Sequence, residues 1–371
     1  MKKQVVVRGT YLRTPLGLGI EPQIEAIKSG NSAIQQQPPN VQNQAWMAAL
    51  LPSVEQPSSY TRLEKYLIDA VAALCEIHSI PKGPETLVIV SSTKGNIGLM
   101  NDPQFKDLYS PERAYLPALC KIIQRHFGFS NPLLALSNAC ISGSLAFALG
   151  QFYLLKENYQ HVLLVGGDEV SWFIQSGFTS FQAISSSPCR PFDASRDGIS
   201  LGEAIVGVYL QAETPDQGLY LTGTGSANDA NHISGPSRTG EGLFRSIQQA
   251  CEQAGHPTID YISAHGTATR YNDDMESIAV QRAGLDTIPV NSYKGVFGHT
   301  LGASGLLETV IGLHCLQEGC LLPSIGFDVS GTTVPLAVIR SYESRPIHSF
   351  LKLASGFGGC NQALIFEKRD T

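Results

Sequence analysis

An α/β protein made of two similar halves is the fold class this sequence predicts, and three observations predict it. Apolar runs such as residues 87–90 and 161–165 are continuous rather than alternating, as in strands buried on both faces. Stretches of helical period lie between them, for example Leu63, Leu67, Ala70, Val71 and Leu74. The same rhythm then returns in the second half of the 371 residues, the pattern of a layered α/β chain.

The elements follow in order. Val5, Val6 and Val7 behind Lys2 and Lys3 read as a first strand with a charged cap, too short in its apolar part for a secretory signal. Residues 28–60 are rich in Gln, Pro and Ser and read as surface chain around an apolar patch at 45–51. A helix is expected over 62–78, strands at 87–90 and 133–139, a helix directly after Cys140, and strands at 161–165 and 204–210. The polar stretch Ala212-Glu213-Thr214-Pro215-Asp216 is the expected seam, giving halves at 1–215 and 216–371. Beyond it come a strand at 219–224, a helix at 240–254, strands at 259–263 and 288–291, a helix at 306–317, and strands at 350–354 and 363–366. The two halves share this order without repeating it letter by letter, as an old internal duplication would.

Composition excludes several classes. A net charge of −6 with no long Lys/Arg run argues against a nucleic-acid partner. The 8 cysteines are dispersed with no CxxC pair, so neither a disulfide framework nor a secreted scaffold is expected. The apolar segment 141–155 is short and is followed by Lys156-Glu157-Asn158, which favours a buried helix over a membrane span. A cytoplasmic protein is the expectation.

The chemistry concentrates in three places. Cys140 lies in Ser137-Asn138-Ala139-Cys140-Ile141-Ser142-Gly143-Ser144, at a strand-to-helix joint where unpaired amides and the helix dipole favour a thiolate. His265 heads His265-Gly266-Thr267-Ala268-Thr269 at a strand end, and Thr267 and Thr269 offer hydroxyls suited to the amides of an extended ligand. His299 sits between Gly298 and the small-residue run Gly302-Ala303-Ser304-Gly305, which permits close backbone approach. Cysteine and two histidines are the parts of acyl-thioester chemistry. They would also suit zinc, but the neighbours are hydroxyls, glycines and Lys294 rather than a further ligand, so no metal is expected. Lys294 and Glu276 are the expected supporting charges, read as a buried pair that orients near-neutral, hydrogen-bond-donating histidines. His232, in Asp229-Ala230-Asn231-His232, is a candidate for lining a cleft, whereas His78, His126, His161, His256, His314 and His348 read as packing or surface residues. The turn Gly356-Phe357-Gly358-Gly359-Cys360-Asn361 can aim a backbone N–H at a developing oxyanion, and it lacks the Lys-Ser/Thr of a phosphate cradle.

Taken together, these segments resemble the β-ketoacyl-acyl carrier protein synthases. The matching pieces are Asn138 to Gly143, the run Arg190-Pro191-Phe192-Asp193-Ala194-Ser195-Arg196-Asp197-Gly198, the run from His265 to Asp273, Lys294 to Gly305, and Gly356 to Asn361. The resemblance implies a thiolase-like fold, two duplicated halves in an α-β-α-β-α layering. It implies that Cys140 accepts an acyl group from acyl carrier protein, and that His265 and His299 promote decarboxylation of a malonyl-carrier protein and hold the enolate. It also implies an oxyanion hole from the amides of Cys140 and Phe357, Phe357 as a gate, and Asn361 holding the loop. The phosphopantetheine arm, gripped at Thr267 and Thr269, is a substrate carrier, and no tightly bound cofactor is implied. A homodimer or a heterodimer with a second ketosynthase-like subunit is expected, with Arg62, Lys65 and Arg125 as a basic patch for the acidic carrier.

Departures from the family pattern point to a specialised polyketide or polyene pathway over housekeeping fatty acid elongation. The chain is trimmed before Arg62 and between Gly98 and Asn131, Ser355 stands where an aromatic is frequent, and Ala204-Ile205 replace a more glycine-rich pair. The main alternative is a chain-length-factor-like subunit that shapes a partner's pocket. A thiolase-like enzyme using acyl-CoA is the other, and it would ordinarily bring a second cysteine to the active centre.

Overall fold

The fold is seen in a computed structural model. It describes residues 3–39, 45–53, 59–100, 108–156, 159–214, 216–229, 232–233 and 235–370. Met1, Lys2, Glu157, Asn158, Pro215, Ala230 and Asn231 of the motifs above, and parts of the 28–60 and 98–131 stretches, lie outside the described residues.

Ten strands form one continuous ribbon. They are β1 (Gln4–Thr14), β2 (Thr86–Ser91), β3 (Leu134–Leu136), β4 (His161–Asp168), β5 (Ala204–Glu213), β6 (Gly218–Asn228), β7 (Tyr261–Ser263), β8 (Val290–Asn291), β9 (Ser349–Gly356) and β10 (Cys360–Arg369). Read from the centre outward, one half runs β1-β5-β4-β2-β3 and the other β6-β10-β9-β7-β8. In each half the inner pairings are antiparallel and the outer two are parallel. The halves therefore share one order and one set of strand directions. They join where β1 pairs with β6, Val5 opposite Leu221 and Val6 opposite Tyr220. The chain passes between halves from Glu213 to Gly218.

Helices supply the remaining layers: α1 (Arg62–His78), α2 (Leu116–Phe127), α3 (Ser142–Lys156), α4 (Trp172–Ser180), α5 (Glu241–Ala254), α6 (Arg270–Arg282) and α7 (Ser304–Glu318). A capping box starts α1: Thr61 Oγ1 accepts the Glu64 amide while the Glu64 carboxylate accepts the Thr61 amide. The period-2 alternation of strand side chains assigns each layer its core. In β2, Val88 and Val90 pack outward with Leu63 and Leu67 of α1 and with Leu119 and Ile123 of α2. Leu87 and Ile89 point inward, into the core shared with α3 and α7. In the other half, Leu351 and Leu353 of β9 face α5 and α6 on the outside, while Phe350 faces the shared interior. The order α1/α2, sheet half, α3/α7, sheet half, α5/α6 is the expected five-layer thiolase-like arrangement.

The middle helices are covered on both sides, so they are apolar all round. Residues 139–156 are long and apolar enough to cross a bilayer by length and composition, yet 56% of them are buried inside the fold, which accounts for that apolarity. Where α3 meets α7, side chains are nearly absent. A Cβ on Gly305 would stand 2.3 Å from the Ser144 amide nitrogen, and one on Gly143 would stand 2.8 Å from the Gly302 carbonyl oxygen.

This crossing is rigidly packed, so Gly305→Ala should destabilise the protein by about 1–3 kcal/mol through overpacking. In α4, a Cβ on Gly177 would meet nothing within 4 Å, and Gly177→Ala should leave stability within about 0.5 kcal/mol or raise it. Urea unfolding midpoints of the two variants test the contrast; equal midpoints would contradict a tight crossing.

Candidate active site

Cys140 is positioned by a sharp joint. β3 ends at Leu136 and α3 starts at Ser142, and Ala139 takes the left-handed conformation (φ 44°) to turn the chain between them. A small residue suits that strained position. Ser142 Oγ fixes the joint by accepting the Asn138 amide at 2.8 Å and donating to the Ala139 carbonyl at 2.6 Å. On its other side lies the glycine turn: a Cβ on Gly356 would be 3.1 Å from the Cys140 amide nitrogen.

His265 follows β7. Its amide and that of Gly266 both donate to the Glu276 carboxylate, at 2.6 and 2.8 Å, so α6 anchors the loop that presents the imidazole. His299 is clamped by its backbone: its amide donates to the Ser200 carbonyl at 2.7 Å and its carbonyl accepts the Gly202 amide at 3.0 Å. Asp168, at the end of β4, links this loop to the opposite half. It accepts from Gly302 N at 2.7 Å, Ser92 Oγ at 2.6 Å and Thr93 N at 2.9 Å.

These supports bring Cys140 Sγ and a ring nitrogen from each histidine within 4.8 Å of one another. The two rings stand edge to face, with centroids 5.4 Å apart. All three residues are buried and line a cavity of about 560 Å³, whose outer rim includes the exposed Ile233 and Tyr271. The tautomers follow from the donors around them. His299 Nδ1 accepts the Leu301 amide at 3.2 Å and lies 2.9 Å from Ser304 Oγ, so the neutral ring carries its proton on Nε2. That Nε2 is buried with no partner among the described residues. His265 Nδ1 lies 3.4 Å from the Lys294 ammonium, a donor, which again places the proton on Nε2. Burial, with the positive charge of Lys294 beside them, holds both imidazoles well below their ordinary titration range.

Lys294 also donates to the His265 carbonyl and forms an ion pair with Glu308 at 2.6 Å. The other Glu308 oxygen pairs at 2.6 Å with Lys352, a lysine of β9 that is completely buried. Burial pushes the Cys140 thiol up to about 12; the Cys360 sulfur adds to this, while Lys294 and a backbone hydrogen bond from Phe357 oppose it. The same desolvation raises Glu276 to about 7 against its two backbone donors, and Asp273 to about 6.

Thr267 and Thr269 line the cavity with their hydroxyl oxygens 2.9 Å apart. Phe357 is about one-third exposed and packs edge-on against Phe181, with centroids 5.4 Å apart.

The beta-ketoacyl synthase N-terminal domain model matches residues 73–215 and the C-terminal domain model residues 220–328, together more than half of the chain. The chain belongs to the beta-ketoacyl synthase family. A protein of Schizosaccharomyces pombe described as a mitochondrial 3-oxoacyl-[acyl-carrier-protein] synthase is 32% identical over 276 residues, which cover 66% of this chain and 64% of that protein. The chain thus spans slightly under two thirds of that relative. The 3-oxoacyl-[acyl-carrier-protein] synthase 2 of Rhizobium meliloti is 27% identical, and that alignment covers 99% of both chains. Among solved structures, a ketosynthase in complex with its chain length factor from Xenorhabdus doucetiae superposes with a TM-score of 0.89 at 23% identity, over 99% of this chain and 98% of that one.

Within this beta-ketoacyl synthase fold, three expectations need correction. Glu276 is not the partner of Lys294: it receives backbone amides, and Glu308 pairs with the lysine. Asn361, expected to hold the loop, donates to Asp229 and to the Gly359 carbonyl, both at 3.0 Å, and accepts from Ser355 at 2.8 Å. It holds the glycine turn. Arg62 is not a free docking cation, since it pairs at 2.7 Å with both Glu169 and Glu203; Lys65 and Arg125 remain exposed. The thiolate favoured by the helix start is outweighed by burial. His232 and Asp229 do line the cavity. Asp168, Ser304, Glu308 and Lys352 were not singled out from the sequence. The charged residues among them interrupt apolar runs, and that was the signal available.

A buried, protonated thiol should alkylate slowly at pH 7. Its reaction with iodoacetamide should then rise about tenfold per pH unit up to about pH 10, followed by intact mass. A rate that levels off below pH 8 would show a thiolate-forming site instead.

Proposed function

We propose that this chain is a beta-ketoacyl-[acyl carrier protein] synthase that performs a decarboxylative condensation. The observation that carries this reading is the convergence of one sulfur and two neutral imidazole donors in a single cavity. In the first half-reaction, Cys140 sulfur attacks the acyl thioester of an acyl carrier protein, and its proton passes to the departing pantetheine sulfur. The tetrahedral oxyanion is held by the amides of Cys140 and Phe357. In the second, a malonyl-carrier protein loses carbon dioxide, and its electron pair is delocalised into an enolate whose oxygen accepts from both Nε2–H groups. The carbanion attacks the acyl-Cys140 carbonyl, and collapse expels the thiolate, which regains a proton. The product, longer by two carbons, leaves on the carrier.

Cationic imidazoles would bind the malonyl carboxylate in the ground state. Neutral donors instead stabilise the charge that develops on the enolate oxygen, and so act where binding accelerates reaction. Thr267 and Thr269 would hold the amides of the pantetheine arm, and Phe357 would gate the cavity from its seat against Phe181 and Phe178. No tightly bound cofactor is part of this scheme.

The partners follow from the same reading. Acyl carrier protein is supported by the names of the relatives, and a homodimer or two-subunit assembly by the similar ketosynthase–chain length factor complex. A specialised polyketide or polyene pathway is the setting we favour over fatty acid elongation, and a cytoplasmic site of action fits eight free cysteines.

Intact-mass analysis with acyl-carrier protein and malonyl-carrier protein tests the proposal. Wild-type protein should gain an acyl adduct on Cys140 and release elongated product. Cys140→Ala should lose the adduct and reduce condensation by about three orders of magnitude or more, while malonyl decarboxylation persists on the histidines. Unchanged elongation by Cys140→Ala in the complete assembly would assign the chain to the pocket-shaping role instead.

A further inference from the structure

Lys352 has no part in the chemistry above, yet it is among the most thoroughly buried charges in the described structure. Its side chain is 0% exposed, in a strand whose neighbours are apolar. A lysine at such a position is costly unless its charge is used. Its ammonium lies 3.3 Å from the Ser263 carbonyl and 3.2 Å from the Ala264 carbonyl, directly beneath the strand end that presents His265. It also donates to the Leu353 carbonyl, and its remaining contact is the Glu308 carboxylate at 2.6 Å.

The electrostatic consequence comes from counting charges around that carboxylate. Lys294 and Glu308 alone would form a neutral pair. With Lys352 on the second oxygen, two lysines share one carboxylate, and the cluster carries a single net positive charge. We propose that Lys352 is a positioning residue for the condensation: by drawing one oxygen of Glu308 to itself, it leaves the Lys294 ammonium uncompensated against His265 and keeps both imidazoles as neutral Nε2–H donors. This inference rests on the ketosynthase reading above.

The other groups facing the histidines do not supply that positive charge. From α6 come Glu276 and Asp273, both acidic and both committed to backbone amides. From β4 comes Asp168, holding the Gly302 amide. From the start of α3 comes the neutral Cys140 thiol, and the histidines face each other. The positive field at the pair therefore comes from Lys294 and Lys352, and both act to lower the histidine titrations.

The sign of the expected effect is fixed. A histidine held low is neutral over the working range and becomes protonated only at low pH, where donation to an enolate is replaced by binding of the malonyl carboxylate. Removing a positive charge raises that titration, so the acid limb of activity moves up.

The experiment measures the pH dependence of malonyl-carrier protein decarboxylation in three forms of the full chain, with Cys140 acylation recorded alongside. In Lys352→Met the acid limb should move up by about one pH unit, with the acylation rate within about threefold of wild type. In the double variant Lys352→Met with Glu308→Gln, both partners lose charge, Lys294 remains as one net positive charge, and the limb should return toward wild type. A merely structural lysine predicts otherwise: both half-reactions fall by the same factor in the single variant, the double is worse, and neither limb moves. Those outcomes, or an unshifted single variant, overturn the proposal. If Lys352→Met does not fold, Glu308→Gln decides in its place: it removes the carboxylate that both lysines share, so the acid limb should move down, and an unshifted or raised limb refutes the charge argument. Wild type that neither loads nor decarboxylates would refute the underlying reading instead.

Discussion

The active centre depends on two helices touching without side chains between them. α3 begins beside Cys140 and α7 begins just after His299, and they belong to opposite halves of the chain. Only the run of Gly143, Ser144, Gly302 and Gly305 lets their first turns approach until an added methyl would meet backbone. That approach is what converts two separate strand-end loops into one cavity. Asp168 then fastens the arrangement, because a single buried carboxylate of one half accepts the Gly302 amide of the other. Packing sets the distance, and hydrogen bonding sets the register.

Much of this was legible beforehand, and the reasons differ by element. The buried strands and the apolar middle helices announce themselves because desolvation on both sides demands a continuous apolar run. The helix expected over 62–78 has those bounds, since a capping box begins it and a left-handed Ser79 ends it. The helices at Leu116–Phe127 and Trp172–Ser180 were not expected. The first does carry a stripe at helical spacing, Leu116, Leu119, Cys120, Ile123 and Phe127, which the residues alone could have shown, whereas the second leaves Trp172 and Phe173 exposed. The strand before Cys140 stops at Leu136 rather than running to 139, because the chain turns through a left-handed Ala139 just before Cys140. Such turns at non-glycine residues, repeated at Ala268 and Leu301, leave no mark in composition.

The ionic partners were the least legible part of the site. Lys294 and Glu276 both flank the histidines in sequence, which makes their pairing the natural reading. In space, Glu276 lies under the open amides of the His265 loop, and those donors claim it first. The carboxylate left for Lys294 comes from α7 and the second lysine from β9, both elements otherwise made mostly of apolar residues. A buried ion needs partners on every side, and three-dimensional topology alone decides which elements supply them. Sequence proximity ranks candidates without choosing among them.

In the proposed reaction one cavity serves both half-reactions, and this constrains their order. Thr267 and Thr269 line the same space as Cys140 and the histidines, so two pantetheine arms cannot occupy it together. Under the proposed reaction the first carrier would leave before the malonyl carrier enters, with the acyl group stored covalently in between. A double displacement through acyl-Cys140 is the kinetic form of the proposed reaction. The glycine turn is tied at its tip and at its base: Gly358 and Gly359 hold left-handed conformations (φ 87° and 76°), the Gly358 amide donates to the Ile233 carbonyl at 2.7 Å, and Asn361 pins the far end to Asp229 and Ser355. For Phe357 to gate the cavity as proposed, the hydrogen bond from the Gly358 amide to the Ile233 carbonyl has to break and re-form with each arm.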